Sequence, residues 1–201
     1  VAELSARGHT VTGIDVVAAP ASLRACMDSF VQGDLAQEGV ADIVAGTEAV
    51  IHLAACPDDA DFFARLLEPN IMGLVRVLQA CAAHAVPRIL VASSGKVMVG
   101  HNGQPLSEYP LGQGADPAPR DLYCATKLFA EAATQAHAHA SSGRAQCVCM
   151  RFAWCPRTDR HPVPDSLRHQ QRELHTPLHC CQPCDAAVTR VGVACRRGSP
   201  C

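Results

Sequence analysis

From Val1 to about Met150, short apolar runs alternate with longer segments whose apolar residues recur every three or four positions. That alternation predicts repeated β-α units around a parallel sheet. Val1 to Arg7 reads as the last turns of a helix ended by Gly8, after which Thr10 to Asp15 is a strand. Ser29 to Val31 is a short strand running through Gln32 into Gly33-Asp34-Leu35, and Ala36 to Ala45 reads as helix. Ala49 to Ala54 is almost unbroken in its apolar character, as a strand covered on both faces should be. Asp61 to Leu67 and Ile71 to Ala85 are two expected helices; in the second, Leu74, Val77, Leu78, Cys81 and Ala82 line one face. Pro87 stops it, Arg88 to Ala92 is the next strand, and a Gly- and Pro-rich loop fills Gly100 to Pro119. A helix from Leu122 to His139 and a strand from Gln146 to Phe152 complete the pattern.

After Pro156 the character changes. His161 to Cys201 shows no sustained helical or strand period and gathers His and Cys in bursts such as His179 to Cys184. The chain is therefore expected to divide into a folded domain over residues 1–157 and an irregular or disordered tail over 158–201. His175, His179, Cys180, Cys181 and Cys184 have the chemistry of zinc ligands. Adjacent cysteines suit a tetrahedral site badly, and no metal is expected.

Composition narrows the function classes. With 201 residues and 48% apolar content, the chain buries one sizeable core. A formal charge of -2 gives no electrostatic reason to expect nucleic acid or an anionic membrane, and a small-molecule ligand fits better. No run approaches the ~20 apolar residues of a membrane span, and no signal peptide opens the chain, so a cytoplasmic location is expected. Of the 12 cysteines, Cys26, Cys56, Cys81 and Cys124 sit in or beside apolar-periodic segments, which argues against a secreted disulfide scaffold.

The strongest chemical signal is Tyr123-Cys124-Ala125-Thr126-Lys127, a tyrosine and a lysine four apart on one helix face. A free phenol titrates near pH ~10 and is a poor base at neutrality, but a neighbouring ammonium favours the phenolate. Lys127 is thus expected to lower the pKa of Tyr123 and fit it for proton exchange with a carbinol. A solvated Tyr and Lys on a helix surface is the plain alternative. Upstream, the strand Val91-Ala92 ends in Ser93-Ser94-Gly95, where an open parallel sheet presents groups to its ligand crevice. A serine there can hold a substrate oxygen. A serine that simply ends a strand remains the alternative.

Together these residues resemble the extended short-chain dehydrogenase/reductases, the NAD-dependent epimerase/dehydratase family. The resemblance covers roughly residues 1–157 and rests on Gly13-Ile14-Asp15, Gly33-Asp34-Leu35, His52-Leu53-Ala54-Ala55, Asn70, Ala92-Ser93-Ser94, the Tyr-Lys pair, and Arg151 before Trp154-Cys155-Pro156. It implies a Rossmann-like, doubly wound α/β fold and catalysis by Ser94, Tyr123 and Lys127. It also implies that Asp15 bonds the adenosine ribose, favouring NAD over NADP, with Asp34 and Leu35 beside the adenine. Leu53, Ala54 and Ala55 would meet the cofactor through the backbone, Tyr123 and Lys127 would reach its nicotinamide end, and Asn70 would take a structural or water-ordering place near the crevice. The implied partner is a sugar or sugar-nucleotide substrate, with a lean toward uronate dehydrogenases, and a homodimer through the Tyr-Lys helix.

Departures from the family pattern shape two further expectations. Val97-Met98-Val99-Gly100 stands one residue beyond the usual step after the serines, which leaves Ser93 and Ser94 both open as the catalytic serine. No Gly-rich phosphate loop precedes Val1, so the sequence reads as a piece of a longer chain lacking its central first strand. Two apolar strand edges would then lose their partner, predicting poor folding and no dinucleotide binding. A non-catalytic Rossmann-fold remnant is the alternative to an enzyme.

Overall fold

The computed structural model describes residues 1–37, 39–101, 115–152 and 192–197. Six strands form one sheet: β1 (His9–Asp15), β2 (Ser29–Gln32), β3 (Ala49–His52), β4 (Arg88–Ser94), β5 (Gln146–Phe152) and β6 (Gly192–Arg197). Their spatial order is β2-β1-β6-β3-β4-β5. β1 pairs with β2, β3 with β4 and β4 with β5, all parallel, as the β-α alternation requires.

Helices cover both faces, giving the expected three-layer Rossmann-like arrangement. α1 (Ala2–Ala6) and α2 (Ala21–Arg24) lie on one side, where Leu4 and Leu23 pack against Val11 and Met27. α3 (Val40–Val44), α4 (Gly73–Ala83) and α5 (Leu122–Ala140) lie on the other, where Val44, Leu74, Val77 and Ala130 meet Val50 and Val91. A fully buried aliphatic side chain such as Leu74 contributes about 1.5–3 kcal/mol through its removal from water.

Two elements differ from expectation around α4. The helices expected at 61–67 and 71–85 are continuous: Phe62–Met72 is wound as a π-helix, Leu66 N donating to Asp61 O at 3.3 Å, and runs straight into α4. Pro69 lies inside this wide helix instead of breaking it. The helix expected over 36–45 shortens to α3, because Gly39 takes a left-handed conformation at φ 102° immediately before it.

The largest difference lies in the segment read as an irregular tail. Residues 192–197 are a strand, antiparallel to both β1 and β3, in the slot expected to be left open between them. Ala194 stands opposite Thr12 on one side and Val50 on the other. Both strand edges whose loss of partner predicted poor folding are therefore paired within the chain, and the sheet is mixed at this one position. The expected domain end at 157 and the candidate ligands His175 to Cys184 lie outside the described residues.

Candidate active site

β4 ends at Ser94, and the chain turns at once into a 3₁₀ segment, Gly95–His101. The turn is pinned to the segment leading into α5 by a reciprocal pair, Gly100 N to Ala118 O at 2.7 Å and Ala118 N to Val97 O at 2.8 Å. Only glycine fits at position 100, since a Cβ there would collide with the Ala118 backbone. α5 then starts at an Asp121 cap whose carboxylate accepts from Cys124 N at 2.6 Å, a cap contributing about 1 kcal/mol. This start points Tyr123 and Lys127 back at the end of β4.

Tyr123 is 6% exposed, and its ring packs with Cys56, Leu66 and Cys124. Ser94 lies close enough to its phenol to favour ionisation. Lys127 is buried as well: its Nζ donates to Ala92 O at 3.0 Å and lies 5.8 Å from the centre of the Tyr123 ring. The two serines part company here. Ser93 donates to Glu131 Oε1 at 2.5 Å, and Glu131 is gripped by Arg151 through two contacts of 2.8 Å. Arg151 holds the Glu131 carboxyl below the usual carboxylate range. Ser94, not Ser93, stands beside the phenol.

One electrostatic expectation is corrected. The Tyr123 phenol is raised above its ordinary value, because burial outweighs the opposing effects of Ser94 and of Lys96. Lys127 does not bring it down; its own ammonium is pushed down to about 8 by burial. Stripped of water, the lysine spends its nearest hydrogen bond on a carbonyl of β4.

The residues expected around a cofactor gather along the same carboxyl edge of the sheet. Asp15 ends β1, is buried, and accepts from Val17 N at 3.1 Å. Asp34 and Leu35 follow β2, Asp34 accepting from Ala36 N at 2.9 Å while Leu35 joins the core. Leu53 is partly exposed after β3, whereas Ala54 and Ala55 are buried. Asn70 is a clamp: it accepts from Cys56 N at 2.7 Å and donates to Cys56 O at 3.2 Å and Thr126 Oγ1 at 2.9 Å, tying the loop after β3 to α5. Small side chains and a carboxylate at this edge suit a dinucleotide's ribose ends.

His52, at the end of β3, is a site neighbour that carried the resemblance without an assigned role. Its Nδ1 is buried without a hydrogen-bond partner among the described residues, and burial with the nearby Lys127 ammonium pushes its pKa from 6.5 to about 3. The unfolded chain takes up a proton below pH 6.5 that the folded chain refuses. This contribution to stability is complete above 6.5 and is lost as pH falls toward 3. Urea midpoints measured across that range should fall with pH, and His52→Leu should flatten the decline; an equally steep decline in the variant would assign it to other groups.

With the geometry in place, comparison with known proteins decides the lineage. Residues 1–172 match the NAD dependent epimerase/dehydratase family. The chain belongs to that family. It is similar to a uronate dehydrogenase of Agrobacterium fabrum (strain C58 / ATCC 33970), 35% identical over 102 residues, covering 50% of this chain and 37% of that protein. An uncharacterized UDP-glucose epimerase, YtcB of Bacillus subtilis (strain 168), is 24% identical over 74% of this chain and 49% of its own length. Among solved structures, MoeE5 in complex with UDP-glucose and NAD superposes with a TM-score of 0.64 at 28% identity, over 75% of this chain and 48% of MoeE5. The chain thus spans about half or less of the length of each of these relatives. The family is NAD-dependent, and the chain's relatives include sugar dehydrogenases and epimerases as well as a 2-alkyl-3-oxoalkanoate reductase of Stenotrophomonas maltophilia (strain K279a), 30% identical over 79% of this chain and 47% of its own length; among the described residues no helix is long and apolar enough to cross a membrane.

Lys96, Asp58 and Glu131 also stand at the site and were given no role from the sequence, and Arg151, which carried the resemblance, was given none either. Lys96 directly follows the serine motif, and it ion-pairs with Asp58 at 2.8 Å and Asp121 at 3.7 Å. Its proximity to the Ser-Ser step was the available signal.

Proposed function

We propose that the protein oxidises a carbinol of a sugar or sugar nucleotide with NAD, through Ser94, Tyr123 and Lys127. The observation that carries this reading is the buried Tyr123 phenol beside Ser94 at the carboxyl end of β4, with the Lys127 ammonium 5.8 Å from the ring centre. Tyr123 accepts the substrate hydroxyl proton as the carbonyl forms, and Ser94 donates a hydrogen bond to the same oxygen. The contribution of NAD, when bound, is to take the hydride from the carbinol carbon. Lys127 has three N–H donors and uses one on Ala92 O, which leaves two for the nicotinamide ribose and the phenol. Asp15 accepts from the adenosine ribose hydroxyls and repels a 2′-phosphate, which selects NAD over NADP. Asp34, Leu35, Leu53, Ala54 and Ala55 line the adenosine and backbone approach, and Asn70 holds α5 against the crevice. A hexuronate or its nucleotide conjugate is the substrate class, and the net reaction is dehydrogenation or the first half of an epimerisation.

The test is turnover of free hexuronates and UDP-sugars with NAD, followed by absorbance of the reduced nicotinamide. Ser94→Ala should lower kcat on the order of a hundredfold, and Ser93→Ala only a few-fold. The reverse order would transfer the oxygen-holding role to Ser93.

A second reading, a non-catalytic nucleotide-fold module, is favoured by one observation. The slot between β1 and β3 is filled by the antiparallel β6, and among the described residues no Gly-rich strand-to-helix turn lies there to receive a pyrophosphate. Calorimetric binding of a UDP-sugar without turnover of any substrate would support that reading over the first.

A further inference from the structure

The sequence contains two lysines, Lys96 and Lys127, against fifteen arginines, and both ammonium groups lie against one aromatic ring. Lys96 Nζ is 5.2 Å from the centre of the Tyr123 ring and Lys127 Nζ 5.8 Å. Lys96 is built into the site through its backbone. Its N–H donates to Ser94 Oγ at 3.2 Å, and its carbonyl accepts from Cys124 Sγ at 3.1 Å. The side chain leans over Tyr123 and ends on Asp58 at 2.8 Å.

We propose that Lys96 is a positioning residue for Tyr123, a second ammonium over the ring that favours the phenolate, with Asp58 opposing its effect. The proposal deepens the Ser94–Tyr123–Lys127 reading and rests on it only for its catalytic meaning. Charge placement supports it. Burial leaves Lys127 titrating at about 8, so it has lost its charge before a buried phenol ionises. The Asp58 hydrogen bond instead holds Lys96 above its ordinary value, so that it stays cationic while Tyr123 titrates. The Lys96 side chain is half exposed, yet its charge about 5 Å from the centre of a buried ring is near enough to favour the phenolate.

The groups facing the phenol come from four elements. Ser94 and Lys96 follow β4 and favour its ionisation; Asp58, in the loop after β3, opposes it, as does Cys124 on α5. Cys56, from that loop, and Leu66, on the π-helix, pack with the ring, and Asp121 and Lys127 complete the α5 side.

Tyr109 and Tyr123 are the two tyrosines of the chain, so Tyr109→Phe makes near-ultraviolet phenolate absorbance a direct titration of Tyr123 in the otherwise intact protein. In that background, Lys96→Met should raise the phenol midpoint by about one pH unit. Lys96→Arg, which keeps the cation, should leave it near the parent value, and Asp58→Asn should lower it. Circular dichroism at each pH verifies the fold. A Lys96→Met midpoint equal to the parent's overturns the proposal; if that variant fails to fold, an Asp58→Asn midpoint that stays or rises overturns it equally. The catalytic reading fails separately: a shift in Lys96→Met together with full turnover by Tyr123→Phe would keep the coupling and discard the reaction.

Discussion

Proline at position 194 is expected to cost the protein about 1–3 kcal/mol through the unsatisfied ladder partner alone, a large fraction of a domain's marginal stability. Ala194 sits in the middle of β6, opposite Thr12 of β1 and Val50 of β3. Every backbone group of a strand flanked on both sides is engaged in a ladder. Proline removes one N–H and wedges its ring into a position that tolerates it only on an edge. The damage spreads because β6 is the bridge between two halves of the sheet, β2-β1 on one side and β3-β4-β5 on the other. With that bridge broken, β1 and β3 each present an unpaired buried edge, a costly state for backbone groups and an aggregation hazard. Urea denaturation followed by circular dichroism checks the expectation: the midpoint should drop sharply in Ala194→Pro. A midpoint equal to wild type would show that Gly192–Arg197 does not hold the sheet together.

Much of the architecture is legible because its signals are local. β1, β4 and β5 are apolar runs bounded by breakers, with Gly8 at φ 78° before the first and Pro87 before the second. α5 is announced by the four-residue spacing of Tyr123 and Lys127, which survives as one buried face. What escapes is decided by partners distant in sequence. β6 is six residues long, and its state depends on two edges contributed by residues 9–14 and 49–52; no periodicity in so short a run carries that information. Pro69 reads as a helix breaker, yet the wider π winding from Asp61 accommodates it.

At the site, residue identities were easier to read than their electrostatics. Ser94 lies beside Tyr123, while Ser93 is bonded by a side chain 38 residues away, Glu131. The spacing of Tyr123 and Lys127 suggested an ammonium that acidifies a phenol. Spacing is silent on burial, and burial dominates both groups. Lys96 had only its closeness to the Ser-Ser step to mark it, since its place over the ring is set by a 3₁₀ turn, which has no sequence period to betray it.

The reading of this site stands or falls on one oxygen atom. Tyr123→Phe deletes the phenol hydroxyl and keeps the ring that packs with Cys56, Leu66 and Cys124, so the fold should survive with little change in its urea midpoint. Among the described residues no other group is placed to take over its role: Ser94 holds the substrate oxygen without a base to take its proton, Lys127 is held to Ala92 O by one of its three N–H donors, and His52 is buried with its pKa pushed down to about 3. Loss of a positioned acid–base group costs about 10²–10⁴ in rate. The decisive measurement is therefore kcat for oxidation of a turned-over hexuronate or UDP-sugar with NAD, wild type against Tyr123→Phe, both shown to be folded. The account predicts a fall of at least about a hundredfold, whereas an unchanged kcat in the phenylalanine variant would contradict it.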